Sequence, residues 1–255
     1  MRVCLLASGS KGNSLLVESG RTRLLIDAGL SARELRRRLE LVGVAVENID
    51  ALLITHEHTD HVRGLGPLVR QFDLPVYLQT DLARQLADVG KPQCVHEFVA
   101  GEDFTVNDLN VSPFAITHDA LAPVGFTLFG EQGKVGVATD LGVVTRLVTE
   151  CLRGCRALVL ETNHDEEMLR DGPYPWSLKQ RVRSAHGHLS NRAGSSLLQD
   201  LLWEGLETVF LGHLSETNNR PELALKSASQ VLGMQNVCLP QLFVGQQNAP
   251  QIWVT

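Results

Sequence analysis

The sequence predicts an α/β protein in which mixed β-sheets are covered by helices. Three short apolar or alternating segments follow one another at the start of the chain, separated by glycine-bearing turns, and predict an antiparallel meander. Farther along, strand-like and helix-like segments alternate, which is typical of sheets with helices packed on them. At 255 residues and without a low-complexity linker, the chain is expected to form one domain over residues 1–255.

The individual elements follow from the hydrophobic pattern and from helix-capping residues. Ser31 and Glu34 have the spacing of a capping box, which predicts a helix that starts there and ends near Gly43. A second helix is expected after His61. Strands are predicted over residues 2–7, 14–18, 23–27, 51–55, 75–78, 109–116, 125–129, 134–139, 157–160 and 208–211. Further helices are predicted over residues 80–89, 141–152 and 192–203.

The charge balance limits how the protein could bind nucleic acid. A net charge of −6 argues against a protein that coats nucleic acid through its overall charge, because such binding depends on Lys and Arg that neutralise phosphates. Two local basic clusters occur: Arg33 with residues 36–38, and Lys179 with Arg181, Arg183 and Arg192. Each is either a solvated face or a surface that follows a nucleic acid strand.

The sequence favours an unexported protein of the cytoplasm. No apolar run approaches the roughly 20 residues that span a bilayer, and the chain starts with a strand-like segment rather than a signal peptide. The cysteines are odd in number and scattered, as expected of free thiols in a reducing compartment. They are Cys4, Cys94, Cys151, Cys155 and Cys238. Metal ligation by Cys151 and Cys155, which are four residues apart, is the alternative for that pair.

Most of the chemical information lies in the segment that follows the predicted strand 51–55. His56, His58, Asp60 and His61 occur within six residues there. Alternate residues of an extended turn can point the same way, so that His56 and His58 reach one metal ion while Asp60 and His61 face a second. The alternative is a solvated polar loop, in which nothing would require imidazoles and carboxylates to be so concentrated.

These four residues match the HxHxDH signature without substitution, and the chain therefore resembles the metallo-β-lactamase superfamily. The resemblance implies a four-layered αββα fold with two mixed sheets between helices. It also implies three later metal ligands at strand ends, for which the chain offers His118, Asp140 and His213. One divalent ion would be held by His56, His58 and His118, and the other by Asp60, His61 and His213. Asp140 and a hydroxide would bridge the two ions.

Further segments narrow the resemblance within the superfamily. Asp140 replaces the cysteine of the main zinc β-lactamases, and His58 replaces a carboxylate of flavodiiron proteins, so a phosphoesterase is favoured. Five segments resemble the bacterial YycJ/WalJ exonuclease group: residues 7–14, 161–165, 172–175, 187–191 and 212–219. This resemblance implies 5′-to-3′ exonuclease activity on DNA and a role in DNA repair. The chain has no gap for the additional nuclease domain of the β-CASP enzymes.

Roles for the remaining site residues follow from this resemblance and from their chemistry. Asp60 would orient the attacking hydroxide, and Asp27 would support the ligand loop unless it is a plain turn residue. The general acid is expected to be His188, with His164 as second choice. Substrate phosphate would be held by Ser10, Asn13, Ser190 and Asn191, although an ordinary turn also explains the first two. The ligand set suits zinc or manganese, and the sequence does not choose between them.

Two other functions stay open at this point. The same centre could serve a small-molecule metallo-hydrolase, such as a cyclic phosphodiesterase or a thioesterase like glyoxalase II, because the fold does not determine the substrate. The chain could also be a non-catalytic metal-binding protein. The complete ligand set argues against this second alternative.

Overall fold

The computed structural model describes residues 1–86 and 95–255, which contain two seven-stranded sheets. The strands along the chain are β1 (Arg2–Ala7), β2 (Ser14–Ser19), β3 (Thr22–Ile26), β4 (Ala51–Leu53), β5 (Val76–Gln79), β6 (Val95–Phe98), β7 (Phe104–Val106), β8 (Leu109–Ala115), β9 (Val124–Gly130), β10 (Gly133–Ala138), β11 (Ala157–Glu161), β12 (Thr208–Gly212), β13 (Gln241–Val244) and β14 (Gln251–Val254). The first sheet has the order β14-β1-β2-β3-β4-β5-β6, and the second has the order β13-β12-β11-β10-β9-β8-β7.

Each sheet joins an antiparallel half to a parallel half. The first three strands form the predicted antiparallel meander, and β3 to β6 are parallel to one another. In the second sheet β7 to β10 are antiparallel and β10 to β13 are parallel. Neighbouring parallel strands end at the same edge of a sheet, so the loops that follow β3, β4, β10, β11 and β12 can meet there.

The helices cover the outer faces of the two sheets. They are α1 (Ala32–Leu41), α2 (Thr59–Val62), α3 (Leu65–Phe72), α4 (Thr80–Gln85), α5 (Arg146–Leu152), α6 (Glu166–Asp171), α7 (Trp176–Val182), α8 (Asn191–Asp200) and α9 (Pro221–Gly233). Leu35 of α1 and Leu68 of α3 pack in one core with β1 to β5, whereas Leu197 of α8 and Ala228 of α9 pack in another with the second sheet. A third core, which includes Phe126, lies between the sheets. The expected αββα order of layers is confirmed.

Several predicted boundaries differ from the structure for identifiable reasons. The helix expected over residues 141–152 begins only at Arg146, because Thr145 caps it and the backbone N–H of Leu141 donates to Glu161 instead. The helix expected after His61 is α3, which begins at Leu65, and a short helix that was not predicted, α2, begins at Thr59 and carries His61 itself. Residues 87–89 of the helix predicted over 80–89 lie outside the described residues. The prediction missed α6, α7 and α9; α7 has no buried residue and hence no apolar stripe to detect.

Cysteines and membrane spans can be compared with expectation only for the described residues. Cys4, Cys151, Cys155 and Cys238 are free thiols, and Cys94 falls in the part of the chain that is not described. Within residues 1–86 and 95–255, no helix is long and apolar enough to cross a membrane.

Candidate metal centre

The centre forms where the parallel strands of both sheets end. The loop after β4 carries His56 and His58, and the loop after β8 carries His118. Asp140 lies two residues beyond the end of β10, and His213 directly follows β12. All seven ligands predicted from the sequence are brought together there, and their potential ligand atoms form overlapping groups.

Three residues of the site have a left-handed backbone. Asp27 (φ 61°), Asp140 (φ 58°) and His213 (φ 55°) account for three of the five non-glycine residues with positive φ among the described residues. This conformation is uncommon for residues with a Cβ, although aspartate tolerates it better than most. Such backbone strain clusters at functional sites. There it directs a side chain toward a position that a relaxed backbone would not give it.

The ligand atoms fall into two adjacent sets. The nitrogens of His56, His58 and His118 lie within 4.8 Å of one another, and so do the ligand atoms of Asp60, His61 and His213. Asp140 lies between the sets. Its Oδ2 is 3.3 Å from His61 Nε2, its Oδ1 is 3.8 Å from His118 Nε2, and its Oδ1 is also 3.4 Å from His213 Nε2.

Unsatisfied polar atoms indicate that these residues suit a metal. His56 Nε2, His213 Nε2 and Asp140 Oδ2 are buried and have no hydrogen-bond partner in the described part of the chain. A buried polar atom without a partner is costly, so folded proteins rarely keep several of them side by side. Imidazole nitrogens and carboxylate oxygens that converge in this way are the donors that zinc and manganese accept. The residues therefore fit a divalent cation.

The pKa values of the site without metal reflect burial and the close approach of imidazoles and carboxylates. Burial, together with the neighbouring His61, holds the pKa of His56 well below its usual range. Burial alone would also lower the pKa of His61, but the carboxylates of Asp140 and Asp27 raise it to about 10. Burial alone would raise the pKa of Asp140, which His213 and His61 hold well below its usual range. Positive charge at this point is thus stabilised by the surrounding carboxylates.

Asp27 and Thr55 orient the ligand histidines. Asp27 Oδ2 lies 2.7 Å from His61 Nδ1, and Asp27 Oδ1 accepts the backbone N–H of Thr55 at 2.9 Å. The Thr55 hydroxyl lies 3.0 Å from His56 Nδ1. Contacts to Nδ1 leave the Nε2 atoms of both rings facing the centre, which is how proteins commonly hold metal-binding histidines.

A buried carboxylate that the sequence analysis did not identify organises the other side of the centre. Glu161 is fully buried, and its Oε1 lies 2.8 Å from His188 Nδ1 and 3.0 Å from His213 Nδ1. Its Oε2 accepts the backbone N–H groups of Leu141 at 2.7 Å and Leu189 at 3.1 Å. The sequence signals were its place at the end of an apolar strand and its membership of the segment 161–165, which resembles the YycJ/WalJ group, but neither indicated its role. Burial would lower the pKa of His188, but Glu161 raises it.

The two candidates for the general acid have different surroundings. His188 lines the cavity over the ligands, as do Ser10, Tyr174 and Arg181, and this cavity has a volume of about 230 Å³. His164 does not line that cavity. It is 3% exposed, and burial lowers its pKa to about 4, so its imidazole is neutral at pH 7. We therefore withdraw His164 as a proton donor.

The residues expected to contact the substrate also differ in their surroundings. Ser10 is exposed and lines the cavity. Asn13 lies against the ligands instead, because its amide nitrogen is 3.2 Å from Asp60 Oδ2 and 3.1 Å from His61 Nε2. Asn191 does not fit the expectation: it is 4% exposed, and its amide is paired in both directions with Asn219 at 2.9 Å. Its side chain is thus buried and engaged within the protein rather than presented to the cavity over the ligands.

Ser190 and Asp119 complete the surroundings. Ser190 caps α8 by accepting the backbone N–H of Ala193, and its hydroxyl donates to Glu166 at 3.0 Å. Asp119, which the sequence analysis overlooked, lines the cavity; its Oδ1 is 3.3 Å from His118 Nε2 and its Oδ2 is 2.5 Å from Arg181. Asp119 and Arg181 are 62 residues apart in the sequence.

Comparison with known proteins assigns the chain to a family. Residues 22–213 match the family described as the beta-lactamase superfamily domain. The chain belongs to this superfamily, and the resemblance to metallo-β-lactamase-fold proteins is confirmed. A solved structure of the metallo-beta-lactamase fold protein YhfI from Bacillus subtilis superposes with a TM-score of 0.76 at 17% identity, covering 99% of this chain and 98% of that one.

Curated relatives show similarity along most of the chain. The exodeoxyribonuclease YycJ of Bacillus anthracis is 37% identical over 231 residues, which cover 89% of this chain and 88% of the relative. The exodeoxyribonuclease WalJ of Streptococcus pneumoniae is 37% identical over 226 residues, covering 86% and 84%. The resemblance to the YycJ/WalJ group is therefore confirmed.

Proposed function

We propose that this chain is a metal-dependent phosphodiesterase that digests DNA from its 5′ end and works in the cytoplasm as one domain over residues 1–255. The observation that carries the proposal is the pair of ligand sets that share Asp140, with His188 beside them and held by Glu161. Curated relatives named as exodeoxyribonucleases support DNA as the substrate.

Two divalent ions fit the two sets. One would be held by His56, His58 and His118, the other by Asp60, His61 and His213, with Asp140 shared. When bound, such ions lower the pKa of water and neutralise charge that develops on phosphate oxygens. The histidines favour zinc, whereas Asp60 and Asp140 together with an oxygen-rich substrate also suit manganese.

The protein's own groups would orient the reactants and move protons. His188 has its Nδ1 held by Glu161, so its other nitrogen is available to protonate the leaving oxygen of the DNA. Asp60 would orient the attacking water. Ser10 and Arg181, which line the cavity, would hold phosphate oxygens. Asn13 would keep Asp60 in place through its 3.2 Å contact.

A reconstitution experiment tests this proposal. Metal-free protein is loaded separately with manganese and zinc, the bound metal is counted by mass spectrometry, and the protein is incubated with 5′-phosphorylated DNA labelled at its 3′ end. We expect progressive shortening from the 5′ end. Asp140→Asn should abolish it, whereas Asp171→Asn, which changes an exposed carboxylate paired with Arg170, should not.

Other outcomes would contradict the proposal. Intact DNA in the presence of bound metal, together with hydrolysis of a cyclic nucleotide or a thioester, would indicate a small-molecule hydrolase. Metal binding without hydrolysis of any of these substrates would indicate a non-catalytic protein.

A further inference from the structure

A second cavity lies directly beside the metal centre. It has a volume of about 270 Å³ and shares His188 with the cavity over the ligands. Its polar lining comes from His164, Glu166, Arg183, His188, Ser190 and Arg192. Except for His188, none of these residues lines the cavity over the ligands.

The charged groups of this second cavity leave one cation unpaired. Arg192 lies 2.9 Å from Glu166, which also accepts the Ser190 hydroxyl at 3.0 Å. The guanidinium of Arg183 makes no hydrogen bond or ion pair within residues 1–86 and 95–255. Two guanidinium groups thus face one carboxylate. An excess of positive charge in a cavity next to a phosphodiesterase centre attracts anions.

His164 provides an independent sign that a polar ligand belongs here. The side chain is almost completely buried, and its Nδ1 is without a hydrogen-bond partner in the described part of the molecule. A buried nitrogen without a partner is costly unless a ligand or water completes it. Since burial lowers its pKa to about 4, the ring is neutral at pH 7 and carries one N–H that can donate.

The backbone adds a third feature. Helix α8 has ten residues, and its first turn, with the cap Ser190 and with Arg192 and Ala193, lines the cavity. The amino-terminal end of a helix carries partial positive charge and therefore favours anions. These groups come from three segments of the chain, residues 164–166, residue 183 and residues 188–193, which meet at one place.

We propose that this second cavity binds the terminal 5′-phosphate of the DNA while the adjacent phosphodiester lies at the metal centre. The inference rests on the proposed function. A terminal phosphate monoester carries more charge than an internal diester, so a cavity with two guanidinium groups and a helix end selects it. Because His188 lines both cavities, the bound phosphates would belong to neighbouring nucleotides. Occupation of the second cavity would then determine that digestion starts at the 5′ end and that each cut releases one mononucleotide.

Discrimination between DNA ends tests the cavity. The kcat/KM is measured for two DNA strands that differ only in a 5′-phosphate or a 5′-hydroxyl, and the ratio is compared among variants. We expect Arg183→Gln to lower this ratio about tenfold or more, as loss of a charged hydrogen bond does. Arg33→Gln, which removes an exposed cation that lines neither cavity, should leave the ratio unchanged. An unchanged ratio in Arg183→Gln would overturn the inference.

A second variant separates binding from a structural role. Glu166→Gln removes the carboxylate that competes with phosphate for Arg192. If the cavity binds phosphate, this change raises the preference for the phosphorylated strand. If Glu166 only stabilises the fold, the preference stays the same or falls, which would contradict the inference.

Binding without catalysis distinguishes failure of this inference from failure of the proposed function. Metal-free protein is titrated with inorganic phosphate and with a deoxynucleoside 5′-monophosphate, and the ring resonances of His164 are followed by NMR. We expect saturable shifts of these resonances, at lower concentrations of nucleotide than of phosphate, and we expect Arg183→Gln to abolish them. This result supports phosphate binding in the second cavity even if neither DNA strand is cut. Absence of a shift overturns it even if DNA is cut.

Discussion

The contact between Asp27 and His61 leads to a quantitative prediction about metal affinity. For His61 to bind metal through Nε2, its Nδ1 must carry the proton, and the Nδ1–H then donates a hydrogen bond to Asp27 Oδ2, 2.7 Å from the nitrogen. In Asp27→Asn, Oδ1 can still accept the Thr55 backbone N–H, whose nitrogen lies 2.9 Å from it in the wild type. The new amide NH₂, however, faces a nitrogen that must also donate, and it favours the tautomer whose Nε2 is blocked by a proton. The left-handed backbone at residue 27 suits Asn as well as Asp, so the fold is preserved.

The expected loss of metal affinity lies near the upper end of the range seen when a residue that supports a metal ligand is changed. Removing the partner of a ligand histidine commonly costs about 10- to 100-fold in metal affinity. Since the substituted amide opposes the required tautomer rather than merely leaving it unsupported, we expect about 100-fold, or about 2.7 kcal/mol. The dissociation constant is measured by competition with a coloured chelator. Asp50→Asn, which changes a carboxylate that accepts the Arg23 backbone N–H at 2.7 Å in another loop, is the matched control. Equal affinities in wild type and Asp27→Asn would refute the reasoning.

Three further predictions concern other contacts. Glu161→Gln removes the charge that lies 2.8 Å from His188 and 3.0 Å from the metal-ligand candidate His213. At saturating metal, kcat should therefore fall about 100-fold or more with little change in KM, and an unaltered kcat would show that His188 does not need this partner. Asn219→Ala leaves the buried Asn191 amide without its partner, so the free energy of unfolding measured in urea should fall by about 1–3 kcal/mol. The KM for DNA should stay constant, and a large rise in KM would restore Asn191 as a substrate contact. Phe126→Ala opens a cavity in the core between the sheets and should cost about 3–5 kcal/mol in the same assay, and a loss below 1 kcal/mol would mean that the sheets repack.

Elements with strong local patterns were predicted well, and those without them were not. The apolar strands β1 and β12 begin at the predicted residues because burial on both faces leaves continuous apolar runs in the sequence. Helix α7 was missed because it buries no side chain. Its place beside the metal cavity depends on contacts such as that of Arg181 with Asp119, which no local pattern records.

The sequence by itself determined the residue types, their spacing and the superfamily, because HxHxDH is a local pattern and metal ligands must be particular side chains. Tertiary structure alone decided which distant groups support them. Glu161 contacts both His188, 27 residues later in the chain, and His213, 52 residues later, and its place in the segment 161–165 does not by itself reveal these partners. The same packing pairs Asn191 with Asn219 and so removes it from the substrate. The physical reason is that hydrogen-bond partners are selected by the three-dimensional arrangement of strand ends and loops, and spacing along the chain constrains that arrangement only over a few residues.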